Sequence, residues 1–525
     1  MQPQDNVSSV QPLCLTMYRQ ILFALLGTTL LQAETLISWK RVQLTDQFYA
    51  ECATYADINK DGHVDIISGP FWYAGPDWKA KQAFYEPKSF DINGYSDNFF
   101  CYTHDFNADG WLDILVLGFP GKEARLYLNP GKEALAKESV NWPVHVVADV
   151  VDNESPVFTD ITGDGKPELV CSTGGRFGWY APNWEKPIEP WSFVPVTGDM
   201  KVAKFTHGLG VGDVNGDGKL DLLEARRWWQ AGSGEGNWQQ HNFAAGVGGG
   251  AQMFAYDFDG DGRNDVVTAL NAHSYGVAVF MNRAGNEGAQ WEKRNLVGQQ
   301  PWENDYGIVF SQAHAMRLAD VDGDGVLDIV TGKRYWAHNG KGDPDEVGAR
   351  VVYWFQTKRD GKGGVEFVPH LIDDESGVGT DVQVGDVNGD KLPDIVVGNK
   401  SGVYVLLQER QEVTAEVAEQ MSPKKMYGPG LMAQKDYKAG QSPEEAVKNI
   451  QLPAGFKAEL IAAEPNVVQP IAMTWDERGR LWVIEGNSYP KPREPGAGQD
   501  RILIFEDKDG DGSFETRKVF AEGIS

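Results

Sequence analysis

The 525-residue chain is poor in cysteine, poor in positive charge and, beyond its first 33 residues, lacks any apolar run long enough to span a bilayer. It has four cysteines, and Cys14 falls in the N-terminal stretch. That leaves Cys52, Cys101 and Cys171, an odd number without close spacing, so no disulfide framework is implied. Cys52 and Cys101 fall at similar places in neighbouring repeats and could pair, but free buried thiols are the expected state. The 48 Lys and Arg against 75 Asp and Glu give a net charge of −27, which repels phosphate and excludes nucleic acid as a partner. No Cys-x-x-Cys-His haem site is present. What is abundant points to short strands and tight turns: 60 glycines and 17 tryptophans, with 41% hydrophobic residues to build cores. At this length at least two structural units are expected.

The N-terminus reads as an export leader over 1–33. Arg19 precedes the apolar run 21–31, which is too short for a membrane helix, and Leu31, Gln32 and Ala33 form a cleavage site. The mature chain is therefore expected to be secreted or periplasmic, with association to the cell surface as a further option.

An acidic nine-residue pattern recurs along the chain. Its ligand positions (first, third, fifth and ninth) are Asp57, Asn59, Asp61 and Asp65, then Asp105, Asn107, Asp109 and Asp113. The next copies hold Asp160, Thr162, Asp164 and Glu168; Asp213, Asn215, Asp217 and Asp221; and Asp257, Asp259, Asp261 and Asp265. Two more hold Asp320, Asp322, Asp324 and Asp328, and Asp386, Asn388, Asp390 and Asp394. First aspartates are spaced by 48, 55, 53, 44, 63 and 66 residues, the length of a four-stranded propeller blade.

Oxygens at these positions can wrap one Ca²⁺, and glycine at the sixth permits the sharp turn. An EF-hand starts the same way but needs flanking helices and a glutamate at the twelfth position. Only Glu224 meets the second condition, and β-type sequence follows every loop, such as Asp394 to Gly398. The loops are therefore strand–loop–strand calcium hairpins. The alternative, a mere Asx-type turn, weighs most for the third copy and for the seventh, where Lys391 replaces the glycine. An eighth copy adds Asp507, Asp509 and Asp511. Clustered carboxylates of this kind account for the acidity and call for a cation.

Between the loops lie strands opening on an aromatic residue, at Trp142, Trp191, Trp238, Trp291 and Phe367. Trp39 begins the same pattern before the first loop, so the N-terminus is expected to supply the outer strand of the last blade. With its seven motif copies, 35–408 resembles the FG-GAP/VCBS-repeat β-propellers, the calcium-hairpin fold of integrin α-subunit heads. The resemblance implies an all-β, seven-bladed propeller. It says little about activity, because such propellers include ligand-binding heads, lectin-like modules and lyases.

Six residues before each first aspartate, the innermost strand should start at the face opposite the calcium loops. That position reads Glu51, Phe99, Glu154, His207, Ala251, His314 and Thr380. Glu51, Glu154, His207 and His314 converging on a channel mouth suggest an acid–base cluster or a transition-metal site. The alternative is that each packs locally between blades. Loops after the second strands should rise to the same face, bringing Trp72, Arg176, Trp179, Arg226, Arg227, Trp228, His273, Arg334, Trp336 and His338. Flat rings stack on sugars while basic groups bond hydroxyls, so a carbohydrate or other polar ligand, or a protein partner, is expected there. Inter-blade packing is the competing use of the tryptophans. His207, His314 and the loop from Tyr335 to His338 also resemble the propeller of aldos-2-ulose dehydratase, which implies a metal-assisted sugar lyase or isomerase.

After Gln408 a charged linker over 409–445 is expected, ending in a helix opened by Ser442, Pro443 and Glu445 as a capping box. Residues 446–525, with Asp476 to Val483 and the eighth acidic loop, resemble the opening of the bacterial membrane-bound dehydrogenase family, whose propeller is similar to quinone-dependent sugar dehydrogenases. That implies an incomplete second β domain. Pyrroloquinoline quinone or haem would follow only if the chain is a fragment of a longer redox protein.

Overall fold

The computed structural model describes residues 33–524 except 138–140, 233–236, 244–246, 284–289, 339, 428–441, 451, 453–454, 489–497 and 511. The expected leader with Cys14, part of the expected linker, and Asp511 lie outside the described residues. The chain forms two compact units, one to residue 428 and one from 429.

In the first unit strand pairing sorts the described strands into seven four-stranded antiparallel sets. They run through 54–83, 100–151, 157–195, 209–242, 252–297 and 313–373, and the last joins 383–414 to the N-terminal strand. Sets four and five also touch edge to edge, Leu209 and Gly210 pairing parallel with Gln252 and Met253. The result is a β-propeller, and its last blade is completed as the Trp39 pattern implied. Ala33–Thr45 lies antiparallel to Gly402–Thr414, from Ala33 opposite Thr414 to Thr45 opposite Val403. That long pairing carries the strand six residues past Gln408, into what the sequence suggested was linker. Thr414 then caps a helix over Ala415–Met421, its Oγ1 accepting from Val417 N–H.

Side-chain alternation along each strand builds the cores, which are seams between blades. Trp72 packs into the first–second seam with Ile114 and Trp142, while its neighbours Phe71 and Tyr73 turn to the seventh–first seam with Val396 and Val403. Trp179 enters the third–fourth seam beside Trp229, and Trp228 the fourth–fifth seam beside Phe280. Where the ring closes the backbones come very near. A Cβ on Gly379 would sit 1.9 Å from Glu51 O and 2.0 Å from Gly398 O, so only glycine fits.

In the second unit Ser442 caps a helix over Pro443–Asn449 with the expected reciprocal bonds to Glu445. Strands Pro470–Trp475, Leu481–Glu485, Asp500–Glu506 and Thr516–Ile524 form one antiparallel sheet around Leu481, Val483, Leu503 and Phe505. The eighth acidic loop connects the third and fourth strands here, whereas each propeller loop connects the first and second.

Candidate functional site

One end of the propeller repeats a single construction. In the first loop the Asp57 carboxylate accepts from the N–H groups of Asp61 and Gly62, both at 3.1 Å, and Asp61 accepts from His63 at 2.9 Å. The ninth-position acid is buried and staples strands together: Asp65 accepts from Ile58 N–H and Gly75 N–H, both at 2.9 Å. Asp113, Asp221, Asp265, Asp328 and Asp394 make the same pair of bonds. Burial pushes these acids up, Asp65 to about 6 and Asp328 to about 8, and Glu168 in the third loop to about 7. Buried, crowded carboxylates without a counter-ion fit a hard cation. Ligand oxygens within 4.8 Å of one another are found in Asp160, Asp164 and Glu168, in Asp257, Asp259 and Asp265, and in Asp320, Asp322 and Asp324.

Two loops depart from the pattern. In the fifth, Asp259 is ion-paired with Arg283, and Asp261 with Arg263. In the seventh, Lys391 adopts φ +70°, the left-handed conformation that glycine takes at the sixth position elsewhere, as in Gly62 at +88°. The eighth loop repeats the bonding, Gly510 and Gly512 N–H donating to Asp507 at 2.7 and 2.9 Å.

The opposite end brings the inner-strand starts together. Arg334, from the long sixth-blade loop, reaches the axis, where Nη1 donates to Glu154 Oε2 at 3.0 Å and Nη2 to Glu51 Oε2 at 3.2 Å. Its guanidinium lies 5.8 Å over Phe99. Thr380 Oγ1 donates to the carbonyls of Glu51 and Phe99, and Gln252, next to buried Ala251, donates to Thr380 O at 3.1 Å.

This geometry corrects the acid–base reading of Glu51 and Glu154. Both are buried counter-ions of one arginine. Although burial opposes it, His207 and Arg334 hold Glu154 down at about 2, which leaves it ionised and a poor proton acceptor.

Three imidazoles stand beside this ion group. His207, His273 and His314 have ring centroids 5.1–5.3 Å apart and ligand atoms within 4.8 Å of one another. His314 is 0% exposed; its Nδ1 lies 3.2 Å from Gln312 O, and its Nε2 has no hydrogen-bond partner. His273 turns Nδ1 to Asp343 at 3.3 Å. His207 Nε2 is within 3.3 Å of Glu154 Oε2, ion-pair range, but makes no hydrogen bond. Burial, with Arg334 and the other two rings, drives His314 well below the usual imidazole range, so it stays neutral. Two of the rings, His273 and His314, are each oriented through Nδ1, and the other nitrogen of His314 is unpartnered, which suits a transition-metal ion.

The collar is only partly as the sequence suggests. Trp72, Trp179 and Trp228 are core residues, 6–7% exposed, because a third-strand tryptophan wedges neighbouring blades rather than facing solvent. Arg227 is tied to Glu224 at 2.7 Å, and Arg226 donates to Val247 O. Arg176 is exposed at a hairpin tip. His273, Arg334, Trp336 and His338 do gather near the axis, all from blades five and six. Trp336 is half-buried, its Nε1 donating to Ile92 O.

Sequence reasoning passed over Tyr95, Gln312, Asp343, Glu346 and Lys400. Tyr95 OH donates to Ala337 O, and Gln312 accepts from Ala337 N–H. Lys400 lies 4.4 Å over Tyr95, and burial brings its amine down to about 8. It follows the second strand of the seventh blade, the position Arg334 holds in the sixth, and reading that register around the ring would have found it.

Residues 105–171, 160–224 and 257–331 match the FG-GAP-like repeat, and 378–406 the FG-GAP repeat. Residues 442–525 match a domain of unknown function (DUF7133). No curated protein matches the chain. Solved structures similar to it include an Agrocybe aegerita lectin that recognises non-reducing terminal N-acetylglucosamine, 18% identical, over 71% of this chain and 86% of that one, with a TM-score of 0.38. Another is the rhamnogalacturonan lyase YesW, 12% identical, over 71% and 72%, with a TM-score of 0.35.

Proposed function

The first unit is an FG-GAP-repeat β-propeller, and we propose that it is an exported, calcium-stabilised scaffold for a transition-metal site that acts on a polar, polyhydroxylated ligand. The observation that carries this reading is the convergence of His207, His273 and His314 from three blades, with a buried, unpartnered nitrogen on His314. Nitrogen donors suit zinc, iron, copper or nickel better than calcium. Calcium belongs to the acidic loops at the other end, where only oxygens are offered.

A bound transition metal supplies Lewis acidity towards a carbonyl or hydroxyl oxygen. The chain's own residues do the rest. Asp343 and Gln312 O fix the tautomers of His273 and His314. Arg334 holds Glu154 beside His207. The Trp336 ring offers a stacking face, and Lys400 offers an amine able to exchange a proton near neutral pH. A metal-assisted lyase or isomerase reaction on a hydroxy-carbonyl sugar fits this set better than simple glycan binding, because three converging imidazoles, two of them buried, are more than a lectin needs. No transmembrane helix is present among the described residues.

The test is metal analysis in millimolar Ca²⁺. A tightly held transition metal is expected, to be lost in His207→Ala and His273→Ala while the fold is kept. A protein that holds calcium only, with sugar binding unchanged in both variants, would leave a binding module and end the enzyme reading.

A further inference from the structure

The imidazole cluster does not end at three rings. His338 stacks on His273 with centroids 4.5 Å apart and planes 29° apart. The Asp343 carboxylate lies 3.1 Å from His338 Nδ1 and 3.3 Å from His273 Nδ1. His273, His338 and Asp343 have ligand atoms within 4.8 Å of one another, as His207, His273 and His314 do, and His273 is common to both groups. We propose that the axial site is dinuclear: a second transition-metal ion is held by His338 and Asp343 beside the His207, His273 and His314 position. This rests on the three-histidine reading above.

Three features favour a built site over a chance gathering. The loop is braced: Glu346 accepts the N–H groups of His338 and Gly342 at 2.8 Å and of Asp343 at 3.3 Å, and Ser311 Oγ donates to Pro344 O at 2.8 Å. Beneath it the wholly buried Lys333 amine donates to Ser311 Oγ at 2.6 Å and lies 3.5 Å from Asp345. The donors are thus positioned before any ion arrives, which spares the ordering cost of a loose loop. The donor set also differs from the inner one, one imidazole and a carboxylate against three imidazoles, so the two positions differ in affinity. Finally, the second position is open: the His338 side chain is 46% exposed, whereas His314 is sealed. His338 can take the ion on Nδ1 and keep its proton on Nε2.

Two adjacent ions would grip two oxygens on neighbouring carbons, as in an α-hydroxy carbonyl or a vicinal diol. This narrows the ligand class to polyols with such a pair.

The experiment is a Co²⁺ titration of the chelator-stripped full chain in millimolar Ca²⁺, which keeps the acidic loops filled. It is read by visible ligand-field absorption and by metal analysis. Two equivalents are expected, the second weaker, because it binds beside an existing cation. His338→Ala, an exposed substitution that leaves the core intact, should bind one equivalent with the first affinity within a few-fold. Asp343→Asn should also bind one, with the first weakened about tenfold because His273 loses its orienting acceptor. One equivalent in the unaltered protein, or two retained in His338→Ala, overturns the second position and leaves the three-histidine site standing. No cobalt absorption at all overturns both.

Discussion

The two ends of the propeller are made from the same strands and differ in how they use repetition. At the acidic end one nine-residue loop recurs with the same backbone bonds, down to the buried ninth carboxylate. At the axial end the equivalent position in successive blades holds Glu51, Phe99, Glu154, His207, Ala251, His314 and Thr380, a mixture of counter-ions, imidazoles and packing residues. Repetition marks what every blade needs in order to fold, and divergence marks what the assembled ring does once. Each end can therefore be disturbed separately.

The largest effect should come from stripping calcium. Each loop filled at ten times its dissociation constant contributes about 1.4 kcal/mol, so chelation should lower the melting temperature by about 10 °C or more while leaving metal bound at the axis. A melting curve indifferent to chelator would remove the acidic end's distinction. Next comes Arg334→Met, which strands Glu51 and Glu154 as unpaired buried acids. A loss of about 3–5 kcal/mol in denaturant unfolding is expected, and the added substitutions Glu51→Gln and Glu154→Gln should restore much of it.

A third test uses pH. Burial raises Glu168 to about 7 and Asp328 to about 8 in the cation-free loops. A raised folded pKa means that the folded state holds the proton longer than the unfolded one, so its stabilising contribution is lost as pH climbs through that value. The calcium-free protein should thus lose stability between about pH 6.5 and 8, and calcium should flatten or reverse the slope. Thermal melts across that window, with and without Ca²⁺, decide it. The smallest effect is Lys391→Gly: relief of a left-handed non-glycine residue should stabilise the protein by about 1 kcal/mol, visible as a small rise in the denaturation midpoint.

The build of the acidic loops was nearly all legible in the sequence, because it is local: nine consecutive residues contain the carboxylates, the turn and the strand start. The axial end was legible as a register, since counting back from each aspartate found Glu51, Glu154, His207 and His314. Their roles were not. Arg334 comes from a loop 283 residues from Glu51 and 180 from Glu154, and only the closed ring shows that it neutralises both. The tryptophans misled for a related reason. Trp72, Trp179 and Trp228 sit in strands whose two faces are both buried, so alternation gives no sign of an exposed side.

The pairing of Ala33–Thr45 with Gly402–Thr414 also sets an order of events. The propeller's first strand waits for its last, so the ring shuts only after the roughly 356 residues between them have emerged and found their places. Contacts so distant along the chain make closure slow, and until it happens two long strand edges stand open to other copies of the chain. Deleting 33–45 would leave 402–414 without its partner, and soluble yield, more than activity, is where that loss would be felt first.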